Sequence, residues 1–100
     1  MLPRMSRLDA IGVVVSDMQR AVEFFRLLGV PFGDPGGEDH FEAKLESGVR
    51  LMLDTEKLVR SFMPDWVRPA GQRLSLAFLQ DSPAAVDTRV EQLRAAGFAV

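Results

Sequence analysis

The sequence predicts an α+β domain, and three observations carry that prediction. A β-branched apolar run from Leu8 to Val15 leads into a capped amphipathic helix that stops at Gly29. The same order of apolar run, cap, helix, glycine and apolar restart returns between Arg73 and Val100. Between the two, His40 to Leu53 alternates as a hairpin around Ser47-Gly48. Similarity between the halves implies two related modules, each a βα-Gly-β unit. A ferredoxin-like sandwich, which also uses βαβ units, is the competing architecture at this level.

Residues 1–7 read as a loose lead-in, because Pro3 and Ser6 discourage regular structure. Ile11 to Val15 shows no polar alternation, the pattern of a strand covered on both faces. Ser16 or Asp17 can cap the next helix by accepting from a free N–H of its first turn. Met18, Ala21, Val22, Phe25 and Leu28 then fall on one helical face. Gly29 is the left-handed stop, and Val30 to Phe32 is predicted as a short edge strand. Residues 33–39 are turn-rich. In the hairpin, Phe41, Ala43 and Leu45 share a face with one another, as do Val49, Leu51 and Leu53.

Residues 55–72 read as a connecting loop without clear periodicity, holding Phe62, Met63, Trp66 and Val67 between Pro64 and Pro69. An aromatic-bearing loop of this length either folds over a core or walls a pocket. Arg73 to Leu79 is predicted as a strand. Ser82 and Pro83 start a second helix, Gly97 ends it, and Phe98 to Val100 begins a further strand.

Composition narrows the function classes. The 100 residues suit one small domain or part of one; 47% are hydrophobic and 26% charged. A net charge of -2 with scattered basic residues argues against a nucleic-acid surface. With no cysteine there is no disulfide, thiolate nucleophile or Cys-ligated zinc. No apolar run approaches a membrane span, and no secretory h-region follows the first arginines, so a cytoplasmic location is expected. Gly36-Gly37 lacks the context of a phosphate loop. Ser47, Ser61, Ser75 and Ser82 lack a nucleophile elbow.

Two stretches carry a family resemblance. LDAIGVVVSDMQRAVEFFRLLGVPF closely resembles the opening of vicinal oxygen chelate proteins, the superfamily of glyoxalase I, bleomycin-resistance proteins and extradiol dioxygenases. LSLAFLQDSPAAVDTRVEQLRAAGF resembles the start of that family's second module. The resemblance implies paired βαβββ modules whose curved sheets enclose a cleft, usually assembled across a dimer. It divides the chain into a first module at 8–54, the connecting loop, and the start of a second module at 73–100. The family pattern would need two more strands after Val100. A truncated copy or a short variant that relies on a partner would each account for this, and an uncovered second sheet predicts poor solubility or obligatory association.

Metal-using members of the family hold a divalent ion through His, Gln or Glu on the cleft strands. By resemblance, the ligand positions fall at Ala10, near Leu51 and at Arg73, with the fourth beyond Val100. Alanine and leucine have no donor atom, and a guanidinium repels a cation. Asp9, Asp54 and Gln72 are expected on the other face or at strand ends. No metal and no cofactor is therefore expected. His40, the lone histidine, reads as an exposed strand-start residue.

The expected cleft face is mostly apolar. Ala10, Gly12 and Val14, with Leu51 and Leu53, form its floor. The predicted ligand contacts are Phe41, Leu53, Phe62, Trp66, Arg73 and Ser75. Trp66 would stack on a flat ligand, and Arg73 would pair with a carboxylate or phenolate. The function expected is a metal-independent binding protein of the bleomycin-resistance type, a homodimer holding an aromatic or amphiphilic small molecule. A metal-dependent glyoxalase or dioxygenase whose ligands are supplied elsewhere is the alternative, and an interaction module without a ligand is the third.

Overall fold

The computed structural model describes residues 6–71 and 74–99. Three strands, β1 (Ala10–Val15), β2 (His40–Lys44) and β3 (Arg50–Thr55), form one sheet in the order β1-β3-β2. β1 runs parallel to β3, and β2 runs antiparallel to it. Three helices accompany them: α1 (Met18–Leu27), α2 (Glu56–Phe62) and α3 (Pro83–Ala95). This is an α+β fold consistent with a partial βαβββ module. No helix among the described residues is long and apolar enough to cross a membrane.

Strand register decides which side chains meet. Ile11 pairs with Leu51 and Val13 with Leu53 across the parallel ladder. Ala43 and Phe41 complete the same rows from β2. This face packs against α1: Leu53 and Val22 are fully buried and Leu51 is 2% exposed. Burial of each such side chain contributes on the order of 2 kcal/mol. The opposite face carries the rows Ala10–Arg50–Lys44, Gly12–Met52–Glu42 and Val14–Asp54–His40. α1 does not cover it; Gly12, Val14, His40, Glu42 and Lys44 are exposed.

The first βα unit follows the expected chemistry. Asp17 Oδ1 accepts from Arg20 N at 3.1 Å as the cap of α1, and Gly29 leaves the helix at φ 91°. Ser82 Oγ caps α3 through Ala85 N at 3.1 Å, with Pro83 in the first turn. α1 and α3 are tied together by Arg20, which donates to Ala96 O at 3.1 Å and Gly97 O at 3.3 Å. The guanidinium also lies 3.9 Å from the Phe98 ring centroid. It thus satisfies carbonyls at the end of α3 that the helix cannot bond internally.

Three expected elements differ, and Phe98 and Ala99, expected to begin a further strand, carry none. Val30 to Phe32 is not a strand, although Val30 and Phe32 are buried. Its ladder groups are already engaged: Val30 N donates to Phe25 O at 3.0 Å, and Arg26 Nε donates to Phe32 O at 2.9 Å. Residues 55–72, read as a loop, contain α2. Thr55 Oγ1 accepts from Leu58 N at 3.2 Å, and Glu56 and Arg60 suit the two helix ends. Residues 74–79 form no strand and join no ladder of the sheet; Leu79 is 99% exposed. Gln72, Arg73 and Val100, on which other expectations rest, lie outside the described residues.

Candidate functional site

A cavity of about 400 Å³ opens on the uncovered sheet face near the end of β1. Gly12, Val13, Val14 and Ser16 supply its floor, Glu56 one wall, and Trp66, Arg68, Pro69 and Leu74 the other. The volume falls in the range of small-molecule sites, which are mostly apolar with a few placed polar groups. Gly12 keeps the floor low. A Cβ there would meet Met52 Cε only at 3.8 Å, so the space above the strand is open.

The charged groups of the described lining, Glu56 and Arg68, form one ionic clamp. Arg68 donates from Nε to Glu56 Oε2 at 2.7 Å and from Nη2 to Oε1 at 2.9 Å. Arg60 Nη2 lies 3.6 Å from the same carboxylate, and its guanidinium lies 5.1 Å from the Trp66 ring centroid. The Arg68 hydrogen bonds hold the Glu56 carboxyl below its ordinary pKa, and Glu56 in turn raises Arg68. The bidentate geometry fixes the loop that carries Trp66 to the start of α2. Arg68 is 64% exposed, so the pair positions this wall more than it stabilises the fold.

A second polar feature runs across the rest of the open face. Arg50 bridges Asp9 Oδ2 at 2.7 Å and Glu42 Oε1 at 3.1 Å. Glu42 Oε2 meets His40 Nε2 at 2.9 Å, and His40 Nδ1 meets Asp54 Oδ1 at 2.5 Å. Hydrogen bonds that His40 donates to Asp54, and then to Glu42, raise its pKa. Bonding to His40 and Arg50 lowers Glu42, and Arg50 lowers Asp9. With both ring nitrogens against carboxylates, His40 is biased towards the imidazolium and presents no spare nitrogen to a substrate or an ion. The strand-start position is as expected; the ion-pair row is what single-residue reading missed.

The structure separates the expected ligand contacts. Trp66 lines the cavity. Leu53 does not: it is fully buried on the α1 face, and Phe41 stacks on Phe32 there with centroids 5.7 Å apart. The pairing Gly12↔Met52 puts Gly12 on the same face as Met52, which leaves Leu51 and Leu53 on the other. Phe62 is 63% exposed and Ser75 is exposed, and neither lines the cavity. Arg73 lies outside the described residues. Val13, Ser16, Glu56, Arg68, Pro69 and Leu74 are the lining residues that sequence reading did not place at the cleft.

The donor set does not fit the divalent ion that the family resemblance implies. Ala10 offers no donor, and Leu51 points into the core. The β3 residues that share the face of Ala10 are Arg50, Met52 and Asp54. Asp54, expected on the other face or at a strand end, lies one residue before the end of β3 and on the face of Val14, with its carboxylate against His40. No group of three or more His, Asp or Glu among the described residues could hold a metal ion.

No protein-family model and no curated protein matches the chain. Solved structures do. A hypothetical protein from S. aureus is similar with a TM-score of 0.72 at 13% identity, over 95% of this chain and 72% of that one. A glyoxalase/bleomycin resistance protein/dioxygenase from Nocardioides is similar with a TM-score of 0.67 at 25% identity, over 98% of this chain. The chain spans 66% of the Nocardioides protein's length. The chain has the vicinal oxygen chelate fold.

Proposed function

We propose that the chain is a metal-independent small-molecule-binding protein of the bleomycin-resistance type, which sequesters an aromatic or amphiphilic ligand in a cleft completed by a second copy. The observation that carries this reading is the cavity of about 400 Å³ on the open sheet face, walled by Trp66, Pro69 and Leu74. Trp66 offers a stacking surface, and Val14 and Leu74 remove the ligand's apolar surface from water. Among the described lining residues Glu56 is engaged by Arg68 and Ser16 has no base against it, which supports binding without bond chemistry. Arg73, Ser75 and Phe62 belong to this reading as contacts in the assembled cleft. A cytoplasmic location goes with it.

The experiment is a titration of the chain with flat aromatic compounds, followed by the fluorescence of Trp66, its only tryptophan. Saturable quenching that is unchanged by a chelator, in a species that sediments as a dimer, is the expected result. One divalent ion per site, lost on replacing a specific side chain, would assign the fold's metal chemistry to this chain instead. Saturable binding to a monomer would remove the second copy from the proposal.

A further inference from the structure

The charges around the cavity are unequal. Among the described residues its lining carries one carboxylate, Glu56, and one guanidinium, Arg68, while a second guanidinium, Arg60, lies against the Trp66 ring. Both Glu56 oxygens are engaged by Arg68, and that side chain is only 15% exposed. Arg68 is 64% exposed and uses Nε and Nη2 for Glu56, which leaves Nη1 outside the clamp. A cationic ligand would have to displace Arg68 from two charge-assisted hydrogen bonds and approach Arg60 as well. A neutral ligand would gain stacking alone. An anion would meet exposed guanidinium donors without breaking any contact.

Resting on the binding function proposed above, we infer that the cavity selects a flat apolar molecule bearing one negative charge. Its ring system stacks on Trp66 between Val14 and Leu74, and its carboxylate or sulfonate lies against Arg68. Arg68, which packs beside the ligand while clamped to Glu56, is the specificity-determining residue. Glu56 orients it and moderates its charge.

Three matched probes separate charge from shape: 2-naphthoate, 2-naphthamide and 2-naphthylmethylammonium, each titrated into the full chain with Trp66 fluorescence as the readout. 2-Naphthoate is expected to bind about five- to tenfold tighter than the amide, with the ammonium weakest. The gap should narrow as salt rises. Arg68→Gln should close it while changing the amide's affinity less than about twofold, and Glu56→Gln should widen it by releasing Arg68. Arg68→Lys should retain part of it, since the charge persists without the fork. Equal or tighter binding of the amide or the ammonium by the native chain would overturn the inference and leave the binding function standing. So would an anion-to-amide ratio unmoved by Arg68→Gln. Failure of all three probes to bind would overturn the binding function and this inference with it.

Discussion

The assignment of Leu53 to the core rather than to the cleft can be tested against its neighbour, Met52. Leu53 is fully buried against α1, whereas Met52 sits one residue away on the open face beside Gly12. Leu53→Ala removes three buried carbons, worth about 2.4 kcal/mol at roughly 0.8 kcal/mol each. Incomplete collapse of the cavity left behind brings the total to about 3 kcal/mol. Met52→Ala deletes a half-buried, flexible side chain on an uncovered face and should cost under about 1 kcal/mol. In urea, followed by far-ultraviolet circular dichroism, the first substitution should lower the midpoint by about 2 M and the second by well under 1 M. The folded fraction of Leu53→Ala should bind 2-naphthoate as the native chain does. Comparable losses from the two substitutions, or a Leu53→Ala chain of native stability with weakened binding, would refute the register argument and return Leu53 to the site.

Gly12→Leu should abolish binding of aromatic probes while leaving the unfolding midpoint close to native, because its backbone is not left-handed and a Cβ there meets nothing nearer than 3.8 Å. The His40 pKa is raised above its ordinary 6.5, so its ion pairs stabilise the fold fully below that pH and lose effect as pH climbs through the raised value. A comparison of native and His40→Gln stability from pH 5.5 to 9 should show a gap of at most about 1 kcal/mol, largest at the acid end, since the ring is 44% exposed; a gap that grows with pH would reverse the sign. Arg20→Ala removes donors to Ala96 O and Gly97 O and the contact on Phe98, and should speed amide hydrogen exchange in the last turn of α3 more than in the sheet.

How far the chain could be read depends on whether a feature is local. The first βα unit is written in neighbouring residues: a cap at Asp17, an apolar stripe, a glycine at φ 91°. α2 was written almost as locally, in Thr55 with Glu56 behind it and Arg60 at the far end, but one buried residue, Val59, is too thin a stripe to show as periodicity. The cleft is different in kind. Alternation reveals that each strand has two faces, yet only the pairing of β1 with β3 says which faces coincide. Choosing Leu51 rather than Met52 to accompany Gly12 moves a whole strand's side chains to the wrong side. The ionic row was recoverable in part, because a hairpin closing at Ser47-Gly48 sets His40 opposite Asp54 and Glu42 opposite Met52. Its link to Asp9 required the parallel ladder. The Arg68–Glu56 clamp spans 12 residues of loop and helix and has no sequence period at all. The fold is therefore carried by short-range chemistry, while the wall of the candidate cavity is fixed by one register and one ion pair. Those are the two contacts that a related sequence could change without losing the fold, and with them the shape and charge of the cavity.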